Sequence, residues 1–240
     1  MEENLRNLSV SGAGSVAGGK YNEVKISGAG DVNGDIECNY FKSSGASDVK
    51  GNVKAKIIQI SGASDIKGNI EAEEMTVSGS SDIKGDVTTK KIKVSGASDI
   101  KGTLHAEEVE VRGAVDIKGD CDAENFYARG CFEIGGLLNA GSINVEIFRR
   151  CRVREIGGEK IDVRKGSGSF LGKVIGIFST GDRLITSIIE GDEIYLENTT
   201  ATIVRGGNVT IGPNCSIGTV EYRNSINVDN SSKVNSKKVD

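Results

Sequence analysis

Six aspartates, Asp31, Asp48, Asp65, Asp82, Asp99 and Asp116, recur every 17 residues, and Lys50, Lys67, Lys84, Lys101 and Lys118 stand two positions after all but the first. A bare column of carboxylates is chemistry a divalent cation would seek, because calcium collects several oxygen ligands. Calcium-binding β-rolls, however, use a G-G-x-G-x-D nonapeptide that is absent here. The lysines next door already supply counter-charge, so the two ladders read as structural ion pairs. His105 is the only imidazole, and no motif sets it beside a nucleophile or carboxylate. Cys38, Cys121, Cys131, Cys151 and Cys215 are odd in number and form no C-x-x-C pair, which indicates neither a disulfide framework nor a zinc knuckle. Gly12 to Gly18 (G-A-G-S-V-A-G) looks like a phosphate loop but belongs to a repeat and no helix follows it. No catalytic residue, cofactor or metal ligand is expected.

The elements that position these residues form an array. The unit S-G-A-S-D-[IV]-K-G recurs at Ser27–Gly34, Ser44–Gly51, Ser61–Gly68, Ser78–Gly85 and Ser95–Gly102, then as Arg112–Gly119 and, decayed, as Arg129–Gly136. An earlier copy, Ser11–Gly18, sits 16 residues before the next. Seventeen residues are too few for a helical hairpin but fit one turn of a parallel β-helix. The expected fold is therefore all-β, a solenoid of 17-residue turns with a smaller, mostly β C-terminal part. Alternation places Val32, Val49, Ile66, Ile83, Ile100, Ile117 and Ile134 on one inward column, with Ile36, Val53, Ile70, Val87, Leu104 and Cys121 on another. By the same phase Cys38 shares a column with Ala55, Ala72 and Ala106, and Cys131 with Ala97 and Ala114. All three of Cys38, Cys121 and Cys131 are expected to be small inward residues. The glycines are read as corner residues that need a tight or left-handed backbone.

The expected domains are a β-helix over 1–164, a β-rich segment over 165–223 and a disordered tail over 224–240 that is rich in Ser, Asn and Lys. Lys165 to Ser169 reads as a loop, Phe170 to Ile189 as a buried strand or short helix, and Gly191 to Glu197 as turn and strand. Ile211-Gly and Ile217-Gly form two hexapeptide-like units, with Cys215 at a small inward position. They give the weaker reading of a hexapeptide acyltransferase, which would need a histidine in a cleft.

Composition narrows the classes further. The 240 residues include 33 Gly, one Pro and no Trp, with 5% aromatics, which suits a narrow aliphatic interior. A formal charge of −4 gives no basic stripe for nucleic acid. No apolar run is long enough for a membrane span or a signal peptide, so a cytoplasmic location is expected. The start of the array has no evident cap, since Leu5, Leu8 and Val10 lead straight into the first turn. Leu8, Val10, Val16, Val24 and Ile26 are therefore the candidate polymer interface: an open solenoid end must be capped or paired.

The repeated S-G-A-S-D-[IV]-K-G-[DN]-[IV] units, from about Leu8 to Leu138, resemble the bactofilins, or polymer-forming cytoskeletal proteins. Ile189 to Glu197 and Val209 to Pro213 look like the longer, two-part members of spore-forming bacteria. The resemblance implies a right-handed β-helix without enzymatic activity that polymerises end to end and scaffolds cell shape, the envelope or motility. The partner it implies is the chain itself as a homopolymer, with envelope or motility proteins beside it and at most peripheral membrane contact. The alternative reading is an adhesin-like β-solenoid that presents its Ser and Asp-Lys ladders as a docking face.

Overall fold

Period-two alternation of β-branched and charged residues can bury one face of a strand only against strands of the same phase, and here those are supplied by the next turn of the same chain. The protein is seen in a computed structural model that describes residues 5–166 and 181–239. Every regular element among the described residues is a strand, and every strand pair described below is parallel. The chain forms two units, Met1–Gly119 and Asp120–Asp240.

The first unit opens with β1 (Leu8–Val10), β2 (Ala13–Ile26) and β3 (Ala29–Ser43). Two strand lengths then alternate. The short strands are β4 (Ala46–Val49), β6 (Ala63–Ile66), β8 (Ser80–Ile83), β10 (Ala97–Ile100) and β12 (Ala114–Ile117); the long ones are β5 (Val53–Ile60), β7 (Ile70–Val77), β9 (Val87–Val94) and β11 (Leu104–Val111). From β4 to β12 short strands stack on short and long on long, so Ala46 lies on Ala63 and Val53 on Ile70, while the longer β3 carries both β4 and β5. This is the expected β-solenoid. Val32, Val49, Ile66, Ile83, Ile100 and Ile117 are all 0% exposed, and burying each such side chain is worth about 1.5–3 kcal/mol.

The 16-residue first step also has a structural cause. Ala17 pairs with Asn33 but Gly19 with Ile36, so β3 carries a bulge, and Gly34 within it has φ 112°. Among the described residues Gly19 and Gly34 are the glycines with positive φ, so of the tight or left-handed corners expected at the repeat glycines the left-handed alternative does not hold for the rest. The glycine second in each repeat answers instead to crowding between turns. A Cβ on Gly28, Gly45, Gly62, Gly79, Gly96 or Gly113 would come within 3.0 Å of the carbonyl oxygen of the glycine one turn earlier.

Phase requires another correction. The inward neighbour of the Val/Ile column is Ser47, Ser64, Ser81, Ser98 and Val115, all buried, whereas Ala46, Ala63, Ala97 and Ala114 are exposed. The serines satisfy one another: Ser47 Oγ is 2.7 Å from Ser64 Oγ, and Ser81 Oγ is 2.8 Å from Ser98 Oγ. Ser43 joins this chain at 3.0 Å from Ser47. A buried hydroxyl that finds a partner costs little, so serine fits where alanine was expected.

The second unit holds β13 (Cys121–Ala128), β14 (Cys131–Ile147), β15 (Cys151–Lys165), β16 (Leu184–Leu196), β17 (Thr199–Ile211), β18 (Ser216–Val228) and β19 (Lys233–Val239). Its interior is again an aliphatic stack, in which Ile143, Ile161, Ile194 and Val209 lie on one another and are at most 3% exposed. The spacing is irregular, with Cys151 paired to Leu184 and Leu184 to Thr199. Tight corners fall at Asn198 and Asn214, at φ 47° and 60°. The expected loop at 165–169 and strand or helix at 170–189 lie partly outside the described residues; within them, β15 ends at Lys165 and β16 starts at Leu184. The expected disordered tail over 224–240 is corrected, because β18 runs to Val228 and β19 pairs with it from Ser216↔Lys233 to Tyr222↔Val239. Polar Ser, Asn and Lys side chains suit the outward positions of a last turn.

Candidate polymer interface

The first turn is built from β1 and the start of β2. Leu8, Ser9 and Val10 lie on Val24, Lys25 and Ile26, while Ala13 to Ala17 pair with β3 on one side only. Among the described residues the other side of Leu8–Val10 and Ala13–Ala17 has no strand partner. Leu8 and Val16 are half-buried and Val10 is 8% exposed. Val24 and Ile26 are 0% exposed beneath β1, so they belong to the core and are not surface residues of this end.

One corner of the end is closed. Tyr21 is 4% exposed, its hydroxyl donates to the Ala17 carbonyl at 3.0 Å, and the Arg6 guanidinium lies 5.6 Å from its ring centroid. The backbone N–H of Asn22 donates to the Arg6 carbonyl at 2.9 Å. Asn22 Nδ2 donates to Asn7 Oδ1 at 3.0 Å, and Asn39 Nδ2 to Asn22 Oδ1 at 3.1 Å. The expectation of a wholly uncapped start is corrected to this extent. The open part, from Leu8 to Gly19, carries no charged residue. Edge strands that avoid pairing carry charges, lysine above all, and this one has none.

The other singled-out residues take structural places. Lys84 Nζ donates to Asp82 at 2.5 Å, Lys101 to Asp99 and Lys118 to Asp116 at 2.6 Å, and Lys67 pairs likewise with Asp65. Lys50 turns instead to Asn33 Oδ1 at 3.0 Å. The hydrogen bond that Lys67 donates to Asp65, with the charges of Asp65 and the neighbouring aspartates, raises the Lys67 pKa, and the bond to Asp99 does the same for Lys101. Among the described residues no three His, Cys, Asp or Glu side chains are grouped to hold a metal ion. Lys84→Ala is expected to cost less than about 1 kcal/mol in thermal melts, since the pair is roughly 40% exposed on both sides. Calcium is expected to leave the melting temperature unchanged; a rise of several degrees would mean that the carboxylate column binds it.

His105 is exposed on β11 in register with Thr88. Cys38, Cys121, Cys151 and Cys215 are buried. Burial pushes the Cys38 and Cys151 thiols up to about 12 and raises Cys121 and Cys215 as well, so none is a poised nucleophile. Cys131 is half-buried, and its thiol donates to the Arg150 carbonyl at 3.1 Å. That corrects its inward placement, an error of one residue in phase that moves a side chain to the other face. Ile211 and Ile217 are core residues at 0% and 2% exposure. In the second unit a furrow of about 760 Å³ has Gly157, Gly158, Gly191 and Gly206 among its lining residues, along with charged side chains. Two of these, Arg223 and Asp192, pair at 2.8 Å, and Arg205 binds Glu221 at 2.6 Å.

The expected sites omitted one ladder. Asp35 Oδ1 accepts the N–H of Asn52 at 2.7 Å, Asn52 Oδ1 that of Asn69 at 2.8 Å, Asn69 Oδ1 that of Asp86 at 2.9 Å, and Asp86 Oδ1 that of Thr103 at 2.8 Å. Each turn thus holds the next through one short side chain. The [DN] after the second repeat glycine was its visible signal.

The same stretch of chain is matched among known proteins. The family model Bactofilin, described as polymer-forming cytoskeletal, matches residues 5–88. An uncharacterised Bacillus subtilis (strain 168) protein, YhbF, is 43% identical over 103 residues, which are 42% of this chain and 41% of that protein. YhbE of the same organism is 39% identical over 102 residues, 41% of each. The chain therefore spans about two-fifths of the length of these relatives. No solved structure matches it. Among the described residues no helix is long and apolar enough to cross a membrane. The open first turn and the strands from β1 to β8 thus fall in the stretch that matches a family described as polymer-forming cytoskeletal.

Proposed function

We propose that the chain is a non-enzymatic scaffold that self-assembles end to end into filaments through the open edge of Leu8–Val10 and Ala13–Ala17. The observation that carries this reading is that edge itself: without a strand partner among the described residues, free of charge from Leu8 to Gly19, and lined by half-buried Leu8 and Val16. Unpaired backbone donors and acceptors at a strand edge are a template for another strand, and a contact that does not close on itself propagates as a filament. Such filaments in the cytoplasm would support cell shape, envelope organisation or motility. Envelope or motility proteins would dock along the rod, and membrane contact would be peripheral.

Val16→Lys tests the edge. The column of Val16 continues into Val32 and Val49, so a lysine there puts a charge where a second copy would have to bury an apolar side chain. The critical concentration measured by pelleting is expected to rise about tenfold or more, equivalent to ~1.4 kcal/mol. An unchanged critical concentration in a variant that melts like the parent would rule out this edge.

A further inference from the structure

The furrow of the second unit is floored by glycines, and stacking accounts for most of them. Gly158, Gly191 and Gly206 lie on one another in register. A Cβ on Gly158 would come 2.4 Å from the Ala140 carbonyl oxygen, and one on Gly191 2.4 Å from that of Gly158. Side chains are shut out of this row, and bare backbone is left. Gly157 has no such reason. A Cβ there would meet nothing closer than Asn139 Oδ1 at 3.5 Å, and Gly157 is not among the glycines of positive φ. Glycine weakens a strand. Where neither packing nor conformation calls for it, it marks a place where a ligand or another backbone comes close.

The surroundings of Gly157 say what would come close. Asn139, Gly157, Glu190 and Arg205 form a row along the furrow, one per strand from β14 to β17, so Gly157 is a gap in a line of polar side chains. Beside it run Leu137, Glu155 and Ile188, of which Leu137 and Ile188 are half-buried apolar residues. The charged furrow of the first unit is neutralised from within, as Lys20 pairs with Glu37 at 2.9 Å and Lys54 with Glu71 at 2.6 Å. Here Arg205 goes to Glu221 and Arg223 to Asp192, while Glu159 and Glu190, both exposed, enter no ion pair among the described residues.

We infer that this furrow docks an extended basic segment of a partner protein. Its backbone passes over Gly157, its lysine or arginine side chains meet Glu159 and Glu190, and its apolar side chains rest on Leu137 and Ile188. The volume of about 760 Å³ lies within the ~300–1,000 Å³ usual for ligand sites. The row from Asn139 to Arg205 covers three interstrand steps of ~4.8 Å, the length of about four extended residues. An extended segment turns alternate side chains to opposite sides, so it makes charged and apolar contacts at once. Unpaired carboxylates favour a cationic partner and repel an acidic one. The inference goes beyond filament assembly and holds for a single chain as for a polymer.

Fluorescence anisotropy on the full chain, with a fluorescein-labelled peptide Lys-Leu-Lys-Leu-Lys, tests it. Saturable binding is expected, weakening from about 50 mM to about 1 M sodium chloride as screening grows. The counterpart Glu-Leu-Glu-Leu-Glu is expected not to bind. Glu159→Gln with Glu190→Gln is expected to weaken binding about tenfold or more, and Gly157→Val, which fills the gap, to do the same. Both variants are expected to melt like the parent, since the two carboxylates are exposed and a Cβ at Gly157 has room. No saturable binding, or equal binding by the glutamine variant, overturns the inference. Displacement of the peptide by an equal concentration of spermidine also overturns it, because the furrow would then be a polyamine site. If Gly157→Val melts below the parent, the glutamine variant alone decides.

Discussion

Gly62→Ala is expected to destabilise the first unit by ~3 kcal/mol or more, while Gly12→Ala at the same repeat position leaves it unchanged. A Cβ on Gly62 would lie less than 3.0 Å from the Gly45 carbonyl oxygen, whereas one on Gly12 meets nothing within 4 Å. The obstacle is backbone of the turn one repeat earlier, held by its own ladder, since the Ala63 N–H donates to that Gly45 oxygen at 2.9 Å. Relief therefore requires two turns to separate locally, and overpacking that displaces backbone costs at the upper end of its usual range. Among the described residues no turn lies within reach of a Cβ on Gly12. Chemical denaturation of the two variants checks this, and equal costs would show that the glycines serve backbone conformation and not stacking.

Ile83→Ala is expected to cost about 3–4 kcal/mol, the second large effect. Ile83 is 0% exposed and is flanked in its column by Ile66 and Ile100, both fully buried. Truncation leaves a void between turns that cannot collapse, because the ladders above and below fix the spacing. Each turn touches only its neighbours, so the loss is felt there first, and hydrogen exchange should show weakened amides in β6, β8 and β10 before those of β3. Ala97→Ser, on the exposed column beside it, is expected to be silent. A comparable loss at Ala97 would reverse the assigned phase of the short strands.

These two positions also show what the sequence could reveal. Ile83 was legible because its column repeats a β-branched residue every 17 positions, and period plus alternation leaves one consistent interior. Ser81 was not, because a hydroxyl looks like a surface residue until Ser98 Oγ is found 2.8 Å away. Choosing alanine as the inward residue shifted the phase by one and carried Cys131 with it. Gly62 was recognised as special but for the wrong reason, since stacking distance between turns appears in no single repeat. The 16-residue first step was visible as a number, but its bulge at Gly34 needed the register of β2 and β3.

The second unit was less legible because the sequence changes its spacing there. Once Cys151 pairs with Leu184 and Leu184 with Thr199, no fixed period remains to count. The polar run from Asn224 was taken for a tail because its composition is that of one. Its backbone nevertheless completes a turn, with Lys233 to Val239 lying on Ser216 to Tyr222. The candidate interface was half-legible for a related reason. Leu8, Val10 and Val16 follow from being first in their columns, but Val24 and Ile26 are covered by a three-residue strand too short to stand out in sequence.

The central claim is that an uncharged open edge at Leu8–Val10 and Ala13–Ala17 makes this chain a filament-forming protein. Negative-stain electron microscopy of the purified chain over a concentration series, without nucleotide, tests it most directly. The account predicts unbranched filaments of uniform width that lengthen with concentration and disappear in Val16→Lys. Discrete single particles at every concentration would contradict it.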